Sequence, residues 1–248
     1  MAVYKSKGIV LRSIRYGEAD RILDLYTQDA GLVSAIAKGI RRTRSRFGAR
    51  LEPLSCVDFL AYSGRSLDTV TQVEVLRSFH GVREDLARLK AAGGLVETVR
   101  AFSGGDEADR RVFNLLYRGL DALEGRASRL TPIEMAFALK LSILAGYSPQ
   151  LDVCMGCGVE TDGGDGISYF APDLGGLLCT ECRASARDAF PLAPGTPEAL
   201  RALIQVPIRE AFVDAQVEES VRRVVRSHVM AHAPGGALAG GMGARRPA

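Results

Sequence analysis

Residues 7–38, "KGIVLRSIRYGEADRILDLYTQDAGLVSAIAK", decide the fold. Segments 7–15, 21–27 and 31–38 are short and rich in β-branched or large apolar residues, and turn chemistry at Tyr16-Gly17 and Asp29-Ala30-Gly31 separates them. Two more segments of this kind follow at 54–62 and 67–76, divided by Ser63-Gly64. Five short strands in about eighty residues suit a small closed barrel better than an open sheet, because closure removes exposed edges. The one long connection follows the third strand, where a five-stranded OB barrel carries its longer link.

That connection is "AKGIRRTRSRFGARLEP", residues 37–53, which from Lys38 to Arg50 holds Lys38, Arg41, Arg42, Arg44, Arg46 and Arg50 and no acid. The formal charge of +3 conceals this asymmetry: residues 1–80 carry net +5 and residues 81–248 net −2. A solvated charged loop is the plain reading of such a run. Its lack of acids, its place between barrel strands and the enclosed Phe47 point instead to a single-strand groove. Cations there follow the phosphates and a ring offers a stacking face. Lys5, Lys7, Arg12 and Arg15, on or near the first strand, extend the same surface. Anionic lipid is a weaker partner, because no amphipathic anchor accompanies the charges.

From residue 81 the period becomes helical. "REDLARLKAAGGLVETVRAF" spaces its apolar residues for a helix with a weak point at Gly93-Gly94, and "EADRRVFNLLYRGLDALEG" lines up Val112, Leu115, Leu116, Leu120 and Leu123. "LTPIEMAFALKLSILAGYSP" opens with Thr131, Pro132 and Glu134, the pattern of a capping box. "GTPEALRALIQ" and "VEESVRRVVRSHVMAH" supply two further helices, and the Gly/Ala-rich end after His232 is expected to be disordered. The organisation expected is an OB-fold DNA-binding domain over 1–80, a helical domain over 81–150 and 186–232, a zinc-binding insertion over 151–185 and a tail over 233–248. The fold class is α+β multidomain: an N-terminal five-stranded OB-fold β-barrel, then a helical domain carrying an embedded four-cysteine zinc-binding module.

The most specific local signal is Cys154-x2-Cys157 followed, twenty-one residues later, by Cys179-x2-Cys182. Two such knuckles let four thiolates converge tetrahedrally on one Zn²⁺. Gly156 and Gly158 ease the first turn. Two disulfides would need an oxidising compartment, and a redox CxxC would lie at a helix start and need no duplicate. The zinc would be structural, since four thiolates leave no position for a catalytic water. Cys56 reads as a small buried hydrophobe.

Catalytic signatures are missing: there is no GxxxxGK[ST], GxGxxG after a strand, GxSxG or HExxH. His228-x3-His232 reads as helix surface, His80 has no evident partner, and the acids of "GGDEAD" (104–109) suit a helix start. No apolar run approaches the roughly 20 residues of a membrane span, and the N-terminus lacks a secretory h-region, so a cytoplasmic location is expected.

In its order of parts the chain resembles the bacterial RecO family of recombination mediators, up to about residue 232. The resemblance rests on residues 8–53, with Gly17, Glu18, Asp20 and Arg21 and with Lys38, Gly39, Arg41 and Arg42, on "LAGYSPQLDVCMGCG", and on "CTEC". It implies a non-enzymatic protein that binds single- and double-stranded DNA and anneals complementary strands without ATP. It also implies interaction with single-stranded DNA-binding protein and with RecR, in some settings RecF, to help load RecA during repair at the nucleoid. Carried over by position, the DNA contacts would be Lys38, Arg41, Arg42, Arg44, Arg46 and Arg50, with Arg12 and Arg15. The zinc ligands would be Cys154, Cys157, Cys179 and Cys182. The Gly-rich end departs from the family's more basic C-terminus. Two rivals remain open: a zinc-ribbon regulator of specific duplex sequences, and an adaptor that binds through its helical domain.

Overall fold

The computed structural model describes residues 2–41, 47, 50–103, 108–126, 129–160 and 167–234, with backbone alone for Ile167 and Ser168. The chain forms two compact units, Met1–Ala92 with Ser103–Gly125, and Gly93–Phe102 with Arg126–Ala248.

The first unit is built on a closed barrel of β1 (Val3–Tyr16), β2 (Asp20–Thr27), β3 (Gly31–Ala37), β4 (Cys56–Tyr62) and β5 (Asp68–Arg77), in the order β1-β2-β3-β5-β4. Closure depends on β1 serving two partners. Its first half pairs with β4 from Val3↔Tyr62 to Ile9↔Cys56, and its second half with β2 from Gly8↔Thr27 to Tyr16↔Asp20. A bulge between Val10 and Arg12 turns the strand from one partner to the next. Gly8 sits where both pairings overlap, and a Cβ there would come within 3.1 Å of the Phe59 ring. The short parallel pairing Ala35↔Asp68 and Ile36↔Thr69 seals the barrel.

Inward-facing Val10, Leu23, Leu25, Ala35, Val57, Phe59 and Val70 fill the interior. Phe47 joins them at 1% exposure. The expectation that its ring offers a stacking face is therefore wrong: in a barrel this small, burying an aromatic gains more than displaying it.

Two helices belong to the same unit, α1 (His80–Glu84) and α3 (Arg110–Gly125). Between them in sequence lies α2 (Leu86–Phe102), which the division between units cuts at Ala92/Gly93. The Glu124 carboxylate accepts from the Gly81 N–H at 3.0 Å and from Arg77 at 3.1 Å. Asp109 accepts from the Arg111 N–H at 2.7 Å and so caps α3, while 104–107 of the acidic cluster lie outside the described residues. His80 does find a partner, Glu84, at 3.0 Å one helical turn on.

The second unit packs the end of α2, α4 (Thr131–Leu144), β6 (Ile167–Ala171), β7 (Gly176–Cys179), β8 (Phe190–Pro191), α5 (Thr196–Gln205) and α6 (Glu218–His232). The central α4 buries Ile133, Met135, Phe137, Leu139 and Leu141, on both sides of the helix. The capping box expected at Thr131 does not form: Leu130 is the N-cap, with no side-chain cap bond. Glu134 lies beside Gly94 instead, where a Cβ would stand 2.9 Å from Oε1. Burial raises its pKa to about 6, against the pull of Arg222. The glycine that marks a weak point in α2 is thus a point of close approach.

Helix α6 buries Val221, Val224, Val225, His228 and Val229 along one stripe. His228 is 1% exposed, with Nε2 3.0 Å from the Tyr147 carbonyl oxygen, and His232 stacks on the Tyr147 ring. The histidine pair therefore belongs to the interior face, not to the surface. The C-terminal stretch 235–248 lies outside the described residues.

Candidate nucleic-acid interface and metal centre

Strand β3 ends at Ala37, and Lys38 already lies in the turn that follows. Three hydrogen bonds fasten this turn to the β1–β2 hairpin. The Gly39 N–H donates to Asp20 Oδ1 at 2.7 Å, the Arg41 N–H to the Ala19 carbonyl at 2.9 Å, and the Arg41 guanidinium to the Glu18 carbonyl at 3.0 Å. Gly39 takes φ +68°, a left-handed conformation that glycine adopts at no steric cost. The Gly-Glu-x-Asp and Lys-Gly-x-Arg elements, twenty residues apart in sequence, are thus one structural feature.

Lys38, Arg41, Arg12 and Arg15 are exposed. Among the described residues, no carboxylate pairs with any of the four. The contrast with other barrel cations is informative, because Lys5 pairs with Asp58 at 3.0 Å and Arg21 with Glu52 at 3.3 Å. Unneutralised cations on a rigid scaffold are ready partners for an external anion. Arg50 is exposed at the far end of the connection, where its N–H donates to the Phe47 carbonyl at 3.0 Å. Arg42, Arg44 and Arg46 lie outside the described residues.

The outer face of this end of the barrel carries residues that sequence reading passed over. Ile14 is 38% and Tyr16 54% exposed, although both stand in β1. Alternation counted from the bulge places them on one face with Arg12. The bulge shifts the alternation by one residue, and no feature of the sequence announces it.

In the second unit, the sulfurs of Cys154, Cys157, Cys179 and Cys182 all lie within 4.8 Å of one another. Cys157 and Cys179 stand 3.9 Å apart, close to the roughly 3.8 Å edge of a tetrahedron with metal–sulfur bonds of about 2.3 Å. All four thiols are free, so the two-disulfide alternative does not describe this arrangement. Cys154 leaves an extended segment bridged to β7, and Cys179 ends β7, so the sheet fixes one cysteine of each pair.

The backbone is arranged for thiolates. Cys154 Sγ accepts from the Cys179 N–H at 3.3 Å and from the Gly156 N–H at 3.4 Å. Burial opposes ionisation of Cys154, but N–H donors from Cys179, Cys157 and Gly156 prevail and bring its pKa down to about 6. Hydrogen bonds with Cys179 and Cys157 push Cys182 up to about 12, because neighbouring thiols compete to lose protons. Gly156 is required by space: a Cβ there would lie 2.8 Å from Cys182 Sγ. Gly158 is required by conformation, at φ +74°. Four converging sulfurs with N–H donors aimed at them form a donor set that fits zinc. Cys56 stands apart in the barrel, where burial raises its thiol to about 11.

Comparisons with known proteins agree with this layout. The family model described as "Recombination protein O N terminal" matches residues 1–79, and "Recombination protein O C terminal" matches residues 83–238. A protein of Rubrobacter xylanophilus named "DNA repair protein RecO" is 62% identical over 238 residues, 96% of this chain and 95% of the relative. Proteins of the same name from Symbiobacterium thermophilum and Alkaliphilus metalliredigens are 37% and 34% identical, with coverage above 90% of each chain. No helix among the described residues is long and apolar enough to cross a membrane.

Proposed function

We propose that this chain, which belongs to the RecO family of DNA repair proteins, is a non-enzymatic recombination mediator that binds single- and double-stranded DNA through its barrel and anneals complementary strands without ATP. The observation that carries this reading is the set of barrel cations that have no acidic partner among the described residues, Lys38, Arg41, Arg12 and Arg15, held beside the β1–β2 hairpin. Arg42, Arg44, Arg46 and Arg50, from the same connection, complete the proposed DNA-binding set.

Annealing breaks and makes no covalent bond. Its barrier is the repulsion of two phosphate backbones, and a cationic surface lowers that barrier as it releases counterions from both strands. An open face beside the cations keeps bases accessible to the second strand. On this reading the protein acts at the nucleoid with single-stranded DNA-binding protein and RecR, in some settings RecF, and helps load RecA onto coated single strands.

Cys154, Cys157, Cys179 and Cys182 would hold one structural Zn²⁺ in the second unit. The metal supplies a cross-link between the two knuckles, and the N–H donors of Gly156 and Cys179 stabilise the thiolate charge. Its role is to fix the module, not to act on DNA chemistry.

The test is annealing of two complementary strands coated with single-stranded DNA-binding protein, with no ATP present. Duplex formation on the coated strands supports a mediator. Annealing of bare strands that disappears on coating would favour an adaptor role, and absence of annealing on both would refute the reading.

A further inference from the structure

The barrel cations account for phosphate contacts, but with Phe47 buried they leave open what meets the bases. The outer face of β1, β2 and β3 answers this. Strand register sets Ile14 opposite Ile22 and Ile22 opposite Ile36, an apolar row across three strands. The row below it holds Tyr16 opposite Asp20. Ser13, on the other face of β1, lies opposite the fully buried Leu23, so Arg12, Ile14 and Tyr16 point outward.

Two carboxylates on this face are already engaged. Asp20 accepts the Gly39 N–H at 2.7 Å, and Asp24 accepts the Ser34 hydroxyl at 3.0 Å. The hydroxyls of Tyr4 and Tyr26 are likewise occupied, by Asp68 and by the Asp109 carbonyl. Tyr16 differs: among the described residues its hydroxyl has no partner, and its ring is 54% exposed. Solitary exposed aromatics are unremarkable on protein surfaces. This one flanks an apolar row on the same face and belongs to the hairpin to which Arg41 is fastened.

We propose that Tyr16 is a base-stacking platform, with the Ile14–Ile22–Ile36 row beside it receiving the apolar edges of the next base and sugar. The inference rests on the single-strand reading above and deepens it. Its ligand is an unpaired nucleobase of any type, since every base offers a π-face. Cations at Lys38 and Arg41 hold the adjoining phosphates, and stacking on Tyr16 turns the bases away from bulk solvent. Duplex DNA, whose bases are already stacked on each other, makes no such contact and depends on the cations alone.

The test compares the full-length protein with Tyr16→Ala and Tyr16→Phe on three probes: an oligothymidylate of about 16 nucleotides, an abasic strand of equal length, and a duplex. Stacking of one base is worth about 1–3 kcal/mol by alanine substitution, so Tyr16→Ala should weaken oligothymidylate binding by roughly 5- to 150-fold. Its binding to the abasic strand and the duplex should match the parent, and so should the salt dependence. Tyr16→Phe should bind all three like the parent. If the parent binds oligothymidylate and Tyr16→Ala binds it equally well, the stacking role is overturned and the cationic surface stands. A uniform loss on all three probes would also overturn stacking, since it would mark a structural or electrostatic effect. If the parent binds none of the probes, the single-strand reading falls and this inference falls with it.

Discussion

The guanidinium of Arg41 donates to the backbone carbonyl of Glu18 at 3.0 Å, across twenty-three residues of sequence. A carbonyl holds a guanidinium in place without cancelling its charge, as a carboxylate would. The first basic residue beyond Lys38 is therefore positioned yet electrostatically available, and the connection starts from a fixed anchor.

Asp20 is the acceptor for the Gly39 N–H, so Asp20→Ala should loosen that anchor. The lost bond costs about 1 kcal/mol. Amide hydrogen exchange should accelerate at Gly39 and Arg41 and stay unchanged in the paired residues of β1 and β4. Equal exchange at Gly39 in parent and variant would show that the side chain does not hold the turn.

Phe47 is a core residue in an otherwise cationic connection. Phe47→Ala should destabilise the barrel by about 3–5 kcal/mol, as large-to-small core changes do. A denaturant titration checks this. Stability equal to the parent, with DNA affinity alone reduced, would restore the ring to the surface role that its neighbours suggest.

Gly156→Ala should disrupt the four-cysteine cluster, because the new methyl would stand 2.7 Å from Cys182 Cβ. The purified variant should retain well under one zinc per chain by elemental analysis, and its second unit should melt earlier. Stripping zinc from the parent with a chelator should have the same effect on melting. Single-strand binding by the barrel should persist in both cases. Full zinc occupancy in the variant would contradict the packing argument.

The Glu134 carboxyl has its pKa raised by burial from 4.5 to about 6. Between these values the native state binds more proton than the unfolded chain, so stability is greatest below the window and falls as pH rises through it. The fall amounts to about 2 kcal/mol at 1.36 kcal/mol per pKa unit. Glu134→Gln should remove it, giving a flatter stability profile between pH 4.5 and about 6.5 and a more stable protein at neutral pH. A variant with the parent's slope through that window would assign the effect elsewhere.

Much of this was legible in the sequence. Five strand segments separated by Gly-containing turns specified the barrel, and two CxxC pairs specified the sulfur cluster, because each depends on local spacing. What escaped depends on tertiary context. A bulge between Val10 and Arg12 changes which side chains of β1 face outward, so Ile14 looked like an ordinary strand residue and Tyr16 like part of the turn. Phe47 sits among arginines, and its neighbours in sequence say nothing of the barrel core that its ring joins. Thr131-Pro132-x-Glu134 carries the letters of a capping box, yet Glu134 lies beside Gly94, some forty residues upstream. His228 and His232 share a helical face, as their spacing requires, but only the fold turns that face inward.

The central claim, that the barrel holds single strands through the cations of its first strand and of the connection after its third, meets its most direct test in the salt dependence of oligothymidylate binding. If about five cations neutralise phosphates, log K against log[salt] should have a slope near −3.5, and replacing Arg41, Arg42 and Arg44 by Ala should flatten it by about 2 while the melting temperature holds. A slope unchanged by the triple substitution would contradict the account.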